Sequence, residues 1–208
     1  MCKKGDTMKI LYALPVLMAL PISAFAESDS YHIKPFVGYN IYLANNINMK
    51  IKDSGRDAVK VETIGFNEDN TGDFVFGVEI ADVVAISLNP SINKVKTTVT
   101  GTGSTTSKMN EIDAEVDIYL NRGKSFKPYI ALNAGYISMD GDFKASGASF
   151  GAGVGVRQYI NNNVYLNALL EYNTTTEMSV KEVSGTPVSD VDMRMSGFNF
   201  IIGAGYRF

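Results

Sequence analysis

The sequence predicts an all-β protein, an eight-stranded antiparallel up-and-down transmembrane β-barrel. Three observations predict it. Segments of about ten residues alternate apolar and polar side chains, the period-two signature of a strand with two unlike faces. The connections between them are short and long in strict alternation. The segment "FNFIIGAGYRF" (Phe198 to Phe208) carries this alternation up to the last residue given, with Phe198, Phe200, Ile202, Ala204, Tyr206 and Phe208 on one face. Fraying segments at a soluble terminus are rarely so apolar, whereas the closing strand of a barrel is a full member of the wall.

The first part of the chain reads differently. "MKILYALPVLMALPISAFA" (Met8 to Ala26) has a basic start, an apolar run from Ile10 to about Leu20, and Ala24-Phe25-Ala26. This is the pattern of a secretory signal peptide with a small-x-small cleavage site, and Met8 is a candidate start. The apolar run is too short to span a bilayer. Residues 1–26 are therefore expected to be a signal peptide and residues 27–208 a barrel domain. Cys2, the one cysteine, leaves with the leader, so the mature chain is expected to have neither disulfides nor thiol chemistry.

The strand segments follow in order. "HIKPFVGYNIYL" (His32 to Leu43) sets Ile33, Val37, Tyr39, Ile41 and Leu43 against Lys34, Phe36, Asn40 and Tyr42. "DFVFGVEIA" (Asp73 to Ala81) sets Phe74, Phe76, Val78 and Ile80 against Val75, Gly77 and Glu79. "VAISLNPSI" (Val84 to Ile92) alternates Val84, Ile86 and Leu88 with Ala85, Ser87 and Asn89. "EIDAEVDIYL" (Glu111 to Leu120) separates Ile112, Val116 and Ile118 from Glu111, Asp113, Glu115 and Asp117. "FKPYIALNAGY" (Phe126 to Tyr136) opposes Phe126, Ile130 and Leu132 to Lys127, Tyr129 and Asn133. "SFGAGVGVRQYI" (Ser149 to Ile160) opposes Phe150, Val154 and Val156 to Gly151, Gly153, Gly155 and Arg157. "VYLNALLEYN" (Val164 to Asn173) opposes Leu166, Leu170 and Tyr172 to Tyr165, Asn167 and Glu171. The terminal segment is the eighth.

Asp82-Val83, Asn121 to Ser125 and Asn161 to Asn163 read as tight turns. Ala44 to Gly72, Asn93 to Lys108, Ile137 to Ala148 and Thr174 to Gly197 read as long loops. Transmembrane barrels have this asymmetry. A soluble barrel of eight strands would instead bury its apolar face. Glycines 151, 153, 155, 203 and 205 decide between them, because they share the face of the charged residues. Glycine beside long side chains makes room in a crowded interior and only weakens a strand at an open surface. The polar face is thus expected to be the lumen, holding Lys34, Glu79, Asp113, Glu115, Asp117, Lys127, Arg157, Glu171 and Arg207. The apolar face, with aromatics crowding the strand ends, is expected to meet lipid. Because successive strands run up and down, Lys34, Glu79, Asp117, Lys127, Arg157 and Arg207 are expected to share the half of the lumen at the end of the short turns. Glu79 and Asp117 must each then bond an Arg or Lys from another strand, because unpaired buried charge is costly.

On the stretches "KPFVGYN", "ALNAGY", "FGAGVGVRQYINNNVYLNALLEYN" and "FNFIIGAGYRF", the chain resembles the small eight-stranded outer-membrane barrels, the Opa-like and OmpA-like group of the porin superfamily. The resemblance implies a Gram-negative outer-membrane protein with both termini in the periplasm, no cofactor, and lipid and lipopolysaccharide as surroundings. Gly203, Tyr206 and Phe208 match the glycine and aromatic positions of the C-terminal signal read by the barrel-assembly machinery; Ile201 departs from the polar residue often found at its head.

Chemistry is sparse. His32 is the only histidine, at the start of the first strand and on the side opposite to the outer leaflet, where lipid A enzymes act. A serine without a base nearby is a poor nucleophile, so no catalytic residues are assigned. Asp113, Glu115 and Asp117, about 7 Å apart along one strand face, could hold a hard cation, but basic lumen residues are the expected partners and no metal site is assigned. "GTGSTTSK" (Gly101 to Lys108) lacks the spacing of a phosphate loop. The formal net charge of −3 argues against a nucleic-acid partner. An eight-stranded lumen is just wide enough for side chains to fill, so the expected function lies at the surface, structural or adhesive, with a narrow porin as the alternative. Lys50, Lys52, Arg56 and Lys60 in the first long loop are candidate contacts for lipopolysaccharide phosphates or host surface molecules.

Overall fold

A computed structural model describes residues 33–53, 56–66, 72–99, 103–122, 124–141, 143–183, 185–189 and 191–208. Residues 1–26, expected to be a signal peptide, and His32 lie outside the described residues. Twelve strands form: β1 (Ile33–Asp53), β2 (Arg56–Phe66), β3 (Asp73–Ile80), β4 (Val84–Val99), β5 (Gly103–Tyr119), β6 (Phe126–Gly141), β7 (Phe143–Tyr159), β8 (Val164–Thr175), β9 (Met178–Ser179), β10 (Glu182–Val183), β11 (Thr186–Pro187) and β12 (Val191–Arg207). Every pairing is antiparallel. β2 and β3 share one stave between β1 and β4. β12 pairs with β8 on one side and with β1 on the other, Phe36 opposite Arg207. The sheet is thereby closed into an eight-stranded barrel with no free edge.

The closing register answers why the segment Phe198 to Phe208 is a strand: its backbone is bonded on both sides, and its apolar face has no protein to meet. Phe74, Phe76, Ile130, Leu132, Val154, Leu166, Leu170, Phe198 and Phe200 are all exposed on the outside of the barrel. Soluble proteins do not display such a continuous apolar belt; a hydrocarbon surround requires it. Lys127, Arg157, Glu79 and Asp117 are instead buried inside.

Two boundaries differ from the sequence reading. The long segments expected as loops are mostly strand: β1 runs on to Asp53, β4 to Val99, β5 starts at Gly103, and β2 lies wholly within the span expected to be a loop. The cause in β1 is a bulge. Tyr42 pairs with Ile201 and Ala44 with Phe200, leaving Leu43 without an opposite residue. One extra residue inverts the faces beyond it, so Met49 is buried and Lys50 exposed. Alternation read at constant phase therefore breaks at Leu43. The tight turn is also displaced by one residue: Ala81 and Asp82 both have positive φ, 54° and 56°, and Val83 N–H bonds Ile80 C=O at 3.0 Å. This is the geometry of a type I′ hairpin, with Ala81 in the turn rather than in the strand.

Candidate functional site

The interior is layered. At the end carrying the short turns, Glu79 is fully buried and accepts from Lys127 Nζ at 2.7 Å and Arg207 Nη1 at 2.8 Å. Its other oxygen accepts from the hydroxyl of Tyr119 at 3.3 Å and from that of Tyr159. Asp117 binds Arg157 Nη2 at 2.9 Å, and Arg157 also donates to the Tyr119 hydroxyl. Arg157 lies 4.6 Å from the Tyr165 ring centroid and 5.0 Å from that of Phe36. Period-two geometry aims these side chains at one axis from β3, β5, β6, β7 and β12, and the small inward residues leave them space. A Cβ on Gly155 would fall on the Tyr129 ring, and one on Gly205 on that of Tyr165.

Asp82 completes the layer from the turn. It lies 2.9 Å from Lys127 Nζ, 3.4 Å from Arg207 Nη1 and 3.5 Å from Lys34 Nζ. Contact with the Glu79 side chain, then the bond and charge of Lys127, hold its carboxyl well below the usual carboxylate range. Sequence reasoning missed Asp82 because it was assigned to a turn. The available signal was charge balance: Lys34, Lys127, Arg157 and Arg207 against only Glu79 and Asp117 called for another acid at that end.

The middle layer is acidic and amide-rich. Asp73 accepts from the Tyr42 hydroxyl, Glu171 from the amides of Asn133 and, at 2.6 Å, Asn173, and Asp113 from Ser149 Oγ at 3.0 Å. Basic partners were expected for Asp113 and Glu115 as well as for Asp117, but among the described residues only Asp117 has one. The bases are gathered at the turn end, out of reach of β5 beyond Asp117. No group of three or more His, Cys, Asp or Glu among the described residues has metal-binding geometry. A cavity of about 40 Å³ touching Tyr42, Asn93, Glu111 and Asn199 has room for water only.

The far end departs from the expected polar lumen. Met49, Met109, Ile137, Met139, Met178, Val180, Met193 and Met195 form a buried apolar cluster there. These positions come from the segments expected as loops, which is why the cluster was not anticipated.

A family model described as "Outer membrane protein beta-barrel domain" matches residues 12–208. The chain belongs to this family. It is a multi-pass barrel protein of the Gram-negative outer membrane. No curated protein matches it in sequence. Solved barrels that it resembles include outer membrane protein AlkL in lipid bilayers, at 17% identity and TM-score 0.63 over 88% of this chain and 94% of that one. OprG from Pseudomonas aeruginosa matches at 16% identity and TM-score 0.53, over 84% and 96%. Outer Membrane Protein W of E. coli matches at 16% and 0.53, over 84% and 98%. These likenesses concern the fold.

In this outer-membrane barrel the remaining candidate residues fall at the two rims. Tyr206 and Phe208 face outward and pack edge to face, ring centroids 5.1 Å apart, while inward-facing Gly203 leaves room for Asn40. Lys50 and Lys52 sit on β1, Arg56 and Lys60 on β2, in strand rather than loop; of these, only the Lys50 side chain is among those described, and it is exposed.

Proposed function

We propose that this protein is an occluded barrel whose role is structural or adhesive and is carried by its extracellular end. The supporting observation is that the lumen is filled at both ends: by the Glu79–Lys127–Arg207 and Asp117–Arg157 ion pairs among tyrosines at one, and by the methionine cluster at the other. Buried pairs of this kind resist displacement, since opening the path would leave a charge uncompensated in a dry interior. Planar-bilayer recording tests it: the purified barrel is expected to give no steady single-channel current, and sustained unitary conductance would overturn the reading in favour of a narrow porin. What favours the porin is the small cavity in the middle layer, where Asn93 and Asn199 each leave a buried amide oxygen without a partner among the described residues.

The orientation belongs to the same proposal. The turn end with Asp82 faces the periplasm, both termini lie there, residues 1–26 are removed on export, and the extended strands reach outward toward host surface molecules. With Cys2 lost in the leader, a Ser189→Cys barrel has a single thiol, at an exposed site of the far end. A membrane-impermeant maleimide should label it on intact cells. Gly203, Tyr206 and Phe208 act as the signal for the barrel-assembly machinery. The reading is non-enzymatic, as the one histidine of the sequence leaves the outer end without an imidazole base.

A further inference from the structure

Methionine is confined to one place in this barrel. Nine occur in the sequence, three of them within residues 1–26. The other six, Met49, Met109, Met139, Met178, Met193 and Met195, all belong to the buried cluster at the far end. The buried apolar layer around Phe36, Tyr129 and Ile201 has none, and the exposed belt is built from Leu, Ile, Val and aromatic residues. Filling space does not call for this segregation, because Leu and Ile pack a core in better-defined rotamers. What a thioether adds is a soft, polarisable sulfur donor. Register sets the six in cross-strand pairs: Met49 opposite Met195, Met109 opposite Met139, and Met193 opposite Met178. Directly opposite residues have Cβ atoms about 4.5–5.5 Å apart, within which two flexible side chains can bring their sulfurs together. Gly147 leaves the space that Met178 occupies, since a Cβ there would lie 2.6 Å from its Cγ.

The layer beneath supplies what a cation needs. Met109 on β5 and Met195 on β12 line the same cavity of about 40 Å³, together with Asn93, Glu111 and Asn199. Asn93 and Asn199 are only 2% and 6% exposed, and each leaves its amide oxygen without a partner among the described residues. Glu111 lies two residues from Met109 on the same face of β5, about 7 Å along the strand, and Asp113 and Glu115 follow at the same interval. Among the described residues none of the three acids has an ion-pair partner. Uncompensated carboxylates in a narrow interior favour a positive occupant. Its size is bounded by a cavity that admits a water, and its softness by the sulfurs. Hard cations such as Ca²⁺ take about six oxygen ligands or more, whereas thioethers select Cu(I).

We propose that the far-end cluster is a binding site for a soft monovalent cation, Cu(I). Met109 and Met195 at the cavity and their cross-strand partners Met139 and Met49 hold it, and the carboxylates of β5 are its counter-charge. Met178 and Met193 form the next row, Met193 being two residues beyond Met195 on β12. The site does not depend on which end of the barrel faces outward.

The test uses the full chain purified from outer membranes in detergent, with Cys2→Ser so that no thiol competes whether or not the leader is cleaved. It is titrated with Ag(I) and, anaerobically, with Cu(I) against a colorimetric chelator. Stoichiometric binding is expected, undisturbed by excess Na⁺ or Ca²⁺, and X-ray absorption of the Cu(I) form should show sulfur as the main first-shell scatterer. Leucine keeps the volume of methionine and removes its sulfur. Met49→Leu with Met195→Leu, and separately Met109→Leu with Met139→Leu, should each weaken binding at least about tenfold. Met178→Leu with Met193→Leu should bind like the native protein. Heat-modifiable gel mobility shows that each variant is folded, and the two cavity pairs keep the test open should one of them not fold. Absence of stoichiometric binding, undiminished binding by the cavity-pair variants, or a first shell of nitrogen and oxygen overturns the proposal. So does displacement by Ca²⁺, which would make the cavity an oxygen site, and so does a loss confined to the Met178 and Met193 variant.

Discussion

Arg207 donates to Glu79 Oε1 at 2.8 Å although 128 positions separate them in the chain. The bond crosses over β1, which pairs with β3 on one side and β12 on the other. The final stave is thus tied to the first by its backbone and to the second by its side chain. Closing the wall and completing the charged layer require the same strand.

Glu79→Gln should therefore be among the most damaging single changes in the interior. It leaves Lys127 and Arg207 with only the turn carboxylate of Asp82 between them. Loss of about 3–5 kcal/mol is expected, read as a lower urea midpoint for unfolding from detergent or lipid. Adding Lys127→Met should restore part of the loss, because the uncompensated cation goes with it.

Asp82 links stability to pH. Its folded carboxyl is held below the ordinary value by Glu79 and Lys127. A depressed folded pKa contributes stability that is complete above the unfolded value, about 3.9, and is lost as pH falls below it. The gap in stability between the native barrel and Asp82→Asn, which keeps the left-handed turn conformation accessible, should be constant from about pH 8 to 5 and narrow below about pH 4. A gap that widens on acidification would contradict this.

Ala81 pays for the same turn with its backbone, at φ 54°. A non-glycine residue there costs about 1–2 kcal/mol, of which glycine's greater unfolded entropy returns some. Ala81→Gly should raise stability by about 0.5–1 kcal/mol in the same urea titration and leave the ion pairs intact.

Gly155→Ala tests the packing of the tyrosine layer. The added Cβ would meet the Tyr129 ring and, at 2.8 Å, the Ala168 carbonyl oxygen. Tyr129 cannot readily swing aside, because its hydroxyl donates to Asn167 at 2.7 Å. A cost of about 1–3 kcal/mol is expected. Adding Tyr129→Leu should relieve part of it, the backbone contact remaining.

Phe208→Ala addresses assembly. Export should proceed, while the folded, heat-modifiable form in the outer-membrane fraction falls several-fold. Normal amounts of folded variant would remove Phe208 from the assembly signal.

The turn half of the barrel was legible from alternation alone. Glu79, Lys127, Asp117, Arg157 and Arg207 fall on the minor face of their segments, and the antiparallel order brings them to one level. Asp82 escaped because a turn residue has no face to be read from. The far half was illegible for a different reason. Met49 and Ile51 alternate as cleanly as Ile41 and Leu43, but the bulge at Leu43 swaps which side they serve. Nothing in a list of residue types marks an unpaired position, since pairing belongs to two strands at once. The methionines of β5, β6 and β12 were hidden by their surroundings of Ser, Thr and Asp, which read as loop.

The unpaired Leu43 also makes residue count itself a form of information. Upstream of it, odd-numbered residues such as Val37 and Ile41 are exposed to lipid; downstream, Met49 is buried and Lys50 exposed. Deleting Leu43 itself would close the bulge and leave Tyr42 opposite Ile201 and Ala44 opposite Phe200, with Met49 still inside and Lys50 outside; a one-residue change of length elsewhere in the stave, with the bulge kept, would instead exchange inside for outside beyond it. Insertions of two residues should be absorbed as a small lengthening. For this hairpin, parity rather than composition separates a tolerated change of length from a ruinous one.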